Sequence, residues 1–155
     1  MKLVAISTTM ICLALSLNAA AQSPTPSPAP IDPEKLAWIT PPNNSAVRAV
    51  WALGQEQNAG PYILRVKLTK GGRIMPHTHP DQRNSTVLSG TLYVGFGETF
   101  DEAKLVAIPV GSIYVAPANV PHFVWAKDDD VLYQEAGVGP TKTVLSESKQ
   151  GALRP

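Results

Sequence analysis

Between residue 36 and about residue 145, short runs of Val, Ile, Leu, Tyr, Phe and Trp alternate with clusters of turn-forming residues. The runs at 46–53, 62–69, 86–96, 104–108, 112–116, 122–126 and 131–136 suit half-buried pleated surfaces, and each is expected to be a strand. Gly71-Gly72, Ser89-Gly90, Pro109-Val110-Gly111, Pro117-Ala118-Asn119 and Asp128-Asp129-Asp130 separate them. Glycine supplies positive φ, proline a fixed φ, and Asp or Asn local side-chain hydrogen bonds, so each cluster marks a turn or bulge. No stretch keeps a 3.6-residue apolar period over three turns, and 100–105 amounts to one helical turn at most. Seven or more short strands in one domain predict an all-β sandwich or barrel.

Strand faces follow from the period of two. Within 86–96, Thr86, Leu88, Gly90, Leu92, Val94 and Phe96 share one face, and Val87, Ser89, Thr91, Tyr93 and Gly95 the other. Alternation alone does not choose the inward set, and Gly90 is a natural place for a bulge. In 131–136, Leu132, Gln134 and Ala136 share one face, with Tyr133 and Glu135 opposite. Gln134 or Tyr133 either hydrogen-bonds a bound water or substrate, or is an ordinary strand residue. Trp38, Trp51 and Trp125 read as core or interface anchors.

The flanks read differently. A charged Met1-Lys2, an apolar stretch from Leu3 to Leu17 and the small residues Ala19-Ala20-Ala21 are expected to form a signal peptide, 1–21, cut after Ala21. The apolar stretch is too short and too interrupted by Ser and Thr to span about 30 Å of hydrocarbon. Met10-Ile11 before Cys12 is unlike a lipid-attachment site, and cleavage removes this sole cysteine. A mature chain without thiols suits an oxidising compartment, so the expected location is secreted or periplasmic. Residues 22–35 form a proline-rich linker, 36–146 the folded domain, and 147–155 a polar tail. Losing Lys2 leaves 12 basic against 12 acidic residues. That balance points away from nucleic acid and, after signal cleavage, from a membrane surface.

Candidate chemistry rests on the only three histidines. His77 and His79 flank Thr78, so on a strand both imidazoles project to one side, whereas on a helix they would diverge by about 200°. Pro76 and Pro80 bracket the pair, as at a strand end or edge. His122 follows the proline-bracketed turn Pro117–Pro121 and can supply a third nitrogen. Imidazole serves Fe, Zn, Mn, Ni or Cu, so one divalent metal ion of unspecified identity is the expected cofactor.

The spacing around these residues resembles the cupin superfamily. Its first motif, G-x5-H-x-H-x3–4-E-x6-G, is matched by Gly71, His77, His79, position 83 and Gly90. Its second, G-x5-P-x-G-x2-H-x3-N, is matched by Gly111, Pro117, position 119, His122 and position 126. The resemblance implies a double-stranded β-helix, or jelly-roll, barrel. Three positions depart from it: Arg83 stands where the metal-binding glutamate is usual (Asn84 by the longer count), Asn119 where Gly is frequent, and Ala126 where Asn is usual. The ligand set implied is therefore three histidines without a carboxylate. Arg83 either points inward, holding an anionic substrate or a carboxylate, or lies at the surface beside Asp81 as a solvated ion pair.

The three-histidine branch of that superfamily includes iron-dependent dioxygenases. One expectation is thus a dioxygenase acting on a small chelating molecule such as a diketone, flavonol or thiol acid, with hydrolysis by an activated water an equal option. Arg83 and Gln134 are its candidate catalytic residues. The alternative is a non-catalytic module that holds metal or a small ligand; a purely structural relic is disfavoured by the intact triad. No general base stands out, because Glu56, Glu98 and Glu135 have no marking spacing. Barrel edges allow a homodimer, unless 36–53 covers its own edge.

Overall fold

The run expected to be one strand at 86–96 is two strands in different sheets, and that break organises the molecule. The computed structural model describes residues 28–146. β4 (Arg83–Ser89) ends at Gly90, whose φ of 71° is left-handed, and β5 (Thr91–Phe96) departs in the second sheet. A Cβ at Gly90 would collide with the Asp130 carbonyl, so both the torsion and the space demand glycine. Inward parity switches there. Arg83, Ser85 and Val87 are buried before the turn, Leu92 and Val94 after it, so neither alternating set expected from the sequence faces inward along its whole length.

The remaining strands are β1 (Val47–Leu53), β2 (Gly60–Leu68), β3 (Arg73–Thr78), β6 (Val106–Pro109), β7 (Ile113–Ala116), β8 (His122–Trp125), β9 (Val131–Gly139) and β10 (Val144–Leu145). They pair antiparallel into two five-stranded sheets, ordered β1-β2-β9-β4-β7 and β10-β3-β8-β5-β6. Neighbours distant in sequence within both sheets make this a jelly-roll barrel, the expected fold class. The helical turn anticipated near 100–105 is a 3₁₀ turn, Glu102–Lys104, capped by the Asp101 carboxylate on the Ala103 amide, and the strand expected from 104 starts at Val106 instead. Phe100 beside this turn packs on Phe123 and Trp125, covering the outer face of the second sheet.

The signal peptide expected at 1–21, Cys12, the tail at 147–155 and residues 22–27 of the linker lie outside the described residues. The linker's last residues are ordered: Pro33–Lys35 forms a 3₁₀ turn, Trp38 Nε1 donates to the Pro33 carbonyl, and Lys67 Nζ reaches Glu34 at 2.8 Å. Ile39 then bridges to Ala49, laying the entering segment along the free edge of β1. Among the described residues, no helix is long and apolar enough to cross a membrane.

Inside, Leu64, Val66, Leu68, Val87, Leu92, Val94, Val124, Val131 and Tyr133 belong to one hydrophobic cluster. Each fully buried aliphatic side chain contributes on the order of 1.5–3 kcal/mol. Register shows a gradient along the first sheet. The row Val66–Tyr133–Val87 is largely apolar, whereas the row Leu64–Glu135–Ser85–Tyr114 carries most of the polar groups. Arg83 lies beyond that row, opposite Ala116. One end of the barrel is therefore closed by hydrocarbon, and the polar interior lies towards the end that carries the histidines.

Candidate metal centre

β3 and β8 set the histidines. Arg73 and Ile74 pair with Trp125 and Val124, but His77 pairs with His122, so β3 carries one extra residue between Ile74 and His77. Pro76 occupies that bulge, where the missing ladder N–H costs nothing. His77 and His122 face each other directly across the strands, and His79 follows just past the end of β3. The imidazole centroids lie 4.3 Å (His77–His122), 4.9 Å (His77–His79) and 5.2 Å (His79–His122) apart. Each ring offers one nitrogen within 4.8 Å of the other two.

The other nitrogen of each ring is tied down. Nδ1 of His77 lies 2.8 Å from the Met75 carbonyl, that of His79 3.0 Å from the Lys142 carbonyl, and that of His122 3.2 Å from the Val120 carbonyl. A carbonyl only accepts, so Nδ1 carries the proton and donates, leaving the lone pair on Nε2. Nε2 of His79 and of His122 are buried without any hydrogen-bond partner, and an orphaned buried polar atom costs about 1–3 kcal/mol. Desolvation and mutual repulsion push the His77 imidazole down to about 3. Desolvation, with Arg83 adding to it, does the same for His79, also to about 3. Burial likewise lowers His122. Neutral rings with clustered ligand nitrogens and carbonyl-fixed tautomers are the donor set of a nitrogen-ligated divalent metal, so these residues fit the ion that the sequence implied.

A cavity of about 460 Å³ opens beside the cluster. His77, His79, Arg83 and Glu135 line its polar part; Val47, Ala49, Leu64, Val66, Ile74 and Leu145 form its apolar wall, and Pro41–Asn44 lies at its side. Arg83 is 3% exposed, so the surface ion pair considered for it is corrected. Its Nη1 donates to Glu135 Oε2 at 2.6 Å and its Nη2 to Thr141 Oγ1 at 2.9 Å, while Asp81 stands 3.9 Å from Nε. The arginine does hold a carboxylate, but one belonging to the protein.

The other expected site residue, Gln134, lies away from the cavity. It pairs with Arg65 on the outer face, its Oε1 accepting from Arg65 Nε at 3.2 Å, and it does not line the cavity. Tyr133, its alternative, sits in the apolar core. The β9 residue that lines the cavity is Glu135, which spacing rules overlooked. Its signal was parity: in Val131-Leu132-Tyr133-Gln134-Glu135 it shares a face with Val131 and Tyr133, both buried. Burial raises its carboxyl above the ordinary range, and the Arg83 guanidinium pulls against that shift. Tyr62, raised by burial and by Asp81, keeps its proton and donates to Asp81 Oδ2 at 2.5 Å.

Comparison with known proteins gives a consistent picture. Residues 40–154 match the family model described as Cupin. A germin-like protein 3-1 of Oryza sativa subsp. japonica is 33% identical over 67 residues, which are 43% of this chain and 30% of the rice protein. Among solved structures, the polyketide cyclase RemF from Streptomyces resistomycificus superimposes with a TM-score of 0.65 at 10% identity, covering 80% of this chain and 89% of that one. The DMSP lyase DddQ from Ruegeria pomeroyi DSS-3 gives 0.61 at 15% identity, covering 73% and 63%. The chain spans about a third of the length of the rice relatives it matches, and the structural likenesses show the fold alone. With the family model covering most of its length and a histidine triad seated where two barrel strands meet, this chain belongs to the cupin family.

Proposed function

We propose that this cupin holds one divalent metal ion through Nε2 of His77, His79 and His122, and acts as an enzyme on a small chelating organic molecule in the adjoining cavity. The observation that carries this reading is the convergence of three carbonyl-fixed, neutral imidazoles beside a partly apolar cavity of about 460 Å³. Bound there, an ion with three uncharged ligands keeps its full charge and supplies Lewis acidity and, if it is iron, redox chemistry with oxygen. Val47, Leu64, Val66 and Ile74 exclude water and favour a substrate with an apolar body. Dioxygenation of such a chelator is the first reading for the reaction, in a secretory or periplasmic compartment as residues 1–21 suggest.

Glu135 favours a second reading. A buried carboxylate lining the same cavity, steadied by Arg83, can accept a substrate proton at its carboxylate oxygens, so non-oxidative proton transfer competes with oxygenation. A non-catalytic metal- or ligand-binding module is the third. Oxygen uptake by iron-loaded protein with a panel of diketones, flavonols and thiol acids separates them. Uptake with any of these supports oxygenation. Turnover without uptake that disappears in Glu135→Gln supports proton transfer, and neither outcome leaves the binding module.

A further inference from the structure

We infer that Arg83 and Thr141 are positioning residues for His79, so that the arginine standing in the family's glutamate position serves the metal site from behind its ligands. The three imidazoles are not held alike. His77 and His122 donate to carbonyls only two residues earlier in the chain, Met75 and Val120. Those contacts are local and come with β3, β8 and their approaches. His79 donates to the carbonyl of Lys142, 63 residues away, and Thr143 Oγ1 stands 3.5 Å from the same nitrogen. Its orientation therefore depends on where a remote segment lies.

That segment is fastened at Thr141. The Thr141 hydroxyl accepts from Arg83 Nη2 at 2.9 Å and donates to Asp81 Oδ1 at 2.5 Å, using its proton and a lone pair at once. Glu135 grips the other arm of Arg83, and Tyr62 grips the other oxygen of Asp81. Thr141 is 7% exposed, so water does not replace these partners. Arg83 thus connects β4 and β9 to the residue next to the one whose carbonyl orients His79. A glutamate at position 83 could not donate to Thr141 and would repel Glu135 and Asp81. The guanidinium is the group that these three oxygen-bearing neighbours require.

The inference rests on His79 being a metal ligand, and its test separates the two claims. Zinc affinity is measured by competition with a chromophoric chelator for the parent, Thr141→Val, Thr141→Ser and His77→Ala. Partners behind a metal ligand are worth about 10–100-fold in affinity, so Thr141→Val binds zinc weaker by that factor and Thr141→Ser, which keeps the hydroxyl, recovers it. The Nδ1–H resonance of His79 shifts in Thr141→Val and returns in Thr141→Ser, while that of His77 stays in place. Linkage requires the reverse effect in the unmodified protein, where zinc slows amide exchange at Thr141–Thr143. Equal affinities for the two threonine variants, or exchange at 141–143 indifferent to bound zinc, overturns the positioning role. A parent that binds zinc no better than His77→Ala overturns the metal site itself.

Discussion

Replacing Arg83 by methionine tests the buried charge network most sharply. Arg83 is 3% and Glu135 4% exposed, with Nη1 and Oε2 2.6 Å apart, so both groups are largely shielded from bulk water. Deleting one partner of such a pair costs on the order of 3–5 kcal/mol, because the survivor is a charge stranded in low dielectric. The Thr141 hydroxyl also loses a charged donor, roughly another 1 kcal/mol. Glu135 can escape part of this by taking up a proton, at about 1.4 kcal/mol per unit separating its shifted pKa from the ambient pH. The loss in Arg83→Met is therefore larger at pH 8 than at pH 5. Adding Glu135→Leu removes the stranded charge, and the double variant recovers most of the deficit, since buried pairs are often replaceable by hydrocarbon. Urea denaturation of metal-free protein at both pH values reads all four corners of the cycle. A loss under about 1 kcal/mol in Arg83→Met, or a double variant no better than the single, would refute the reasoning.

Three further outcomes are expected. His77 and His79 have folded pKa values near 3 against 6.5 unfolded. The unfolded chain therefore binds more protons between those limits: their contribution to apoprotein stability is complete above pH 6.5 and lost as pH falls towards 3, by up to about 1.4 kcal/mol per unit for each ring. A urea midpoint that is flat from pH 7 to pH 4 would contradict this. In Gly137→Ala, the new Cβ meets the Asp81 carboxylate and the Tyr62 hydroxyl, so about 1–3 kcal/mol is lost along with zinc affinity, as a melt and a chelator competition report. Gln134→Ala, on the outer face, changes stability by no more than about 0.5 kcal/mol and leaves metal binding at the parental level.

Much of this was legible in the chain because it depends on local rules. Alternation and turn residues gave most strands, and the H-x-H spacing with a distant histidine gave the cluster, although His79 lies one residue past the end of β3 and takes its orientation from the Lys142 carbonyl. Position 83 was legible as an arginine with an inward and a surface role both open, because the partners that decide between them, Glu135 and Thr141, lie 52 and 58 residues away. The parity switch at Gly90 had the same cause: only the departure of β5 into the second sheet, and the Asp130 carbonyl against Gly90, show why the strand must turn there. Gln134 was chosen over Glu135 because a polar strand residue looks alike on either face until burial decides. Choosing the face needed the fixed point that Val131 and Tyr133 provide in the core.

The central claim is that three histidines hold one metal ion. Metal content of untagged, chelator-free protein, with X-ray absorption at the edge of whichever metal is found, tests it directly. The expected result is one ion per chain, ligated by imidazole nitrogen and lost in His77→Ala, His79→Ala and His122→Ala alike. Undiminished metal in any of these variants, or a carboxylate-dominated first coordination sphere, would contradict it.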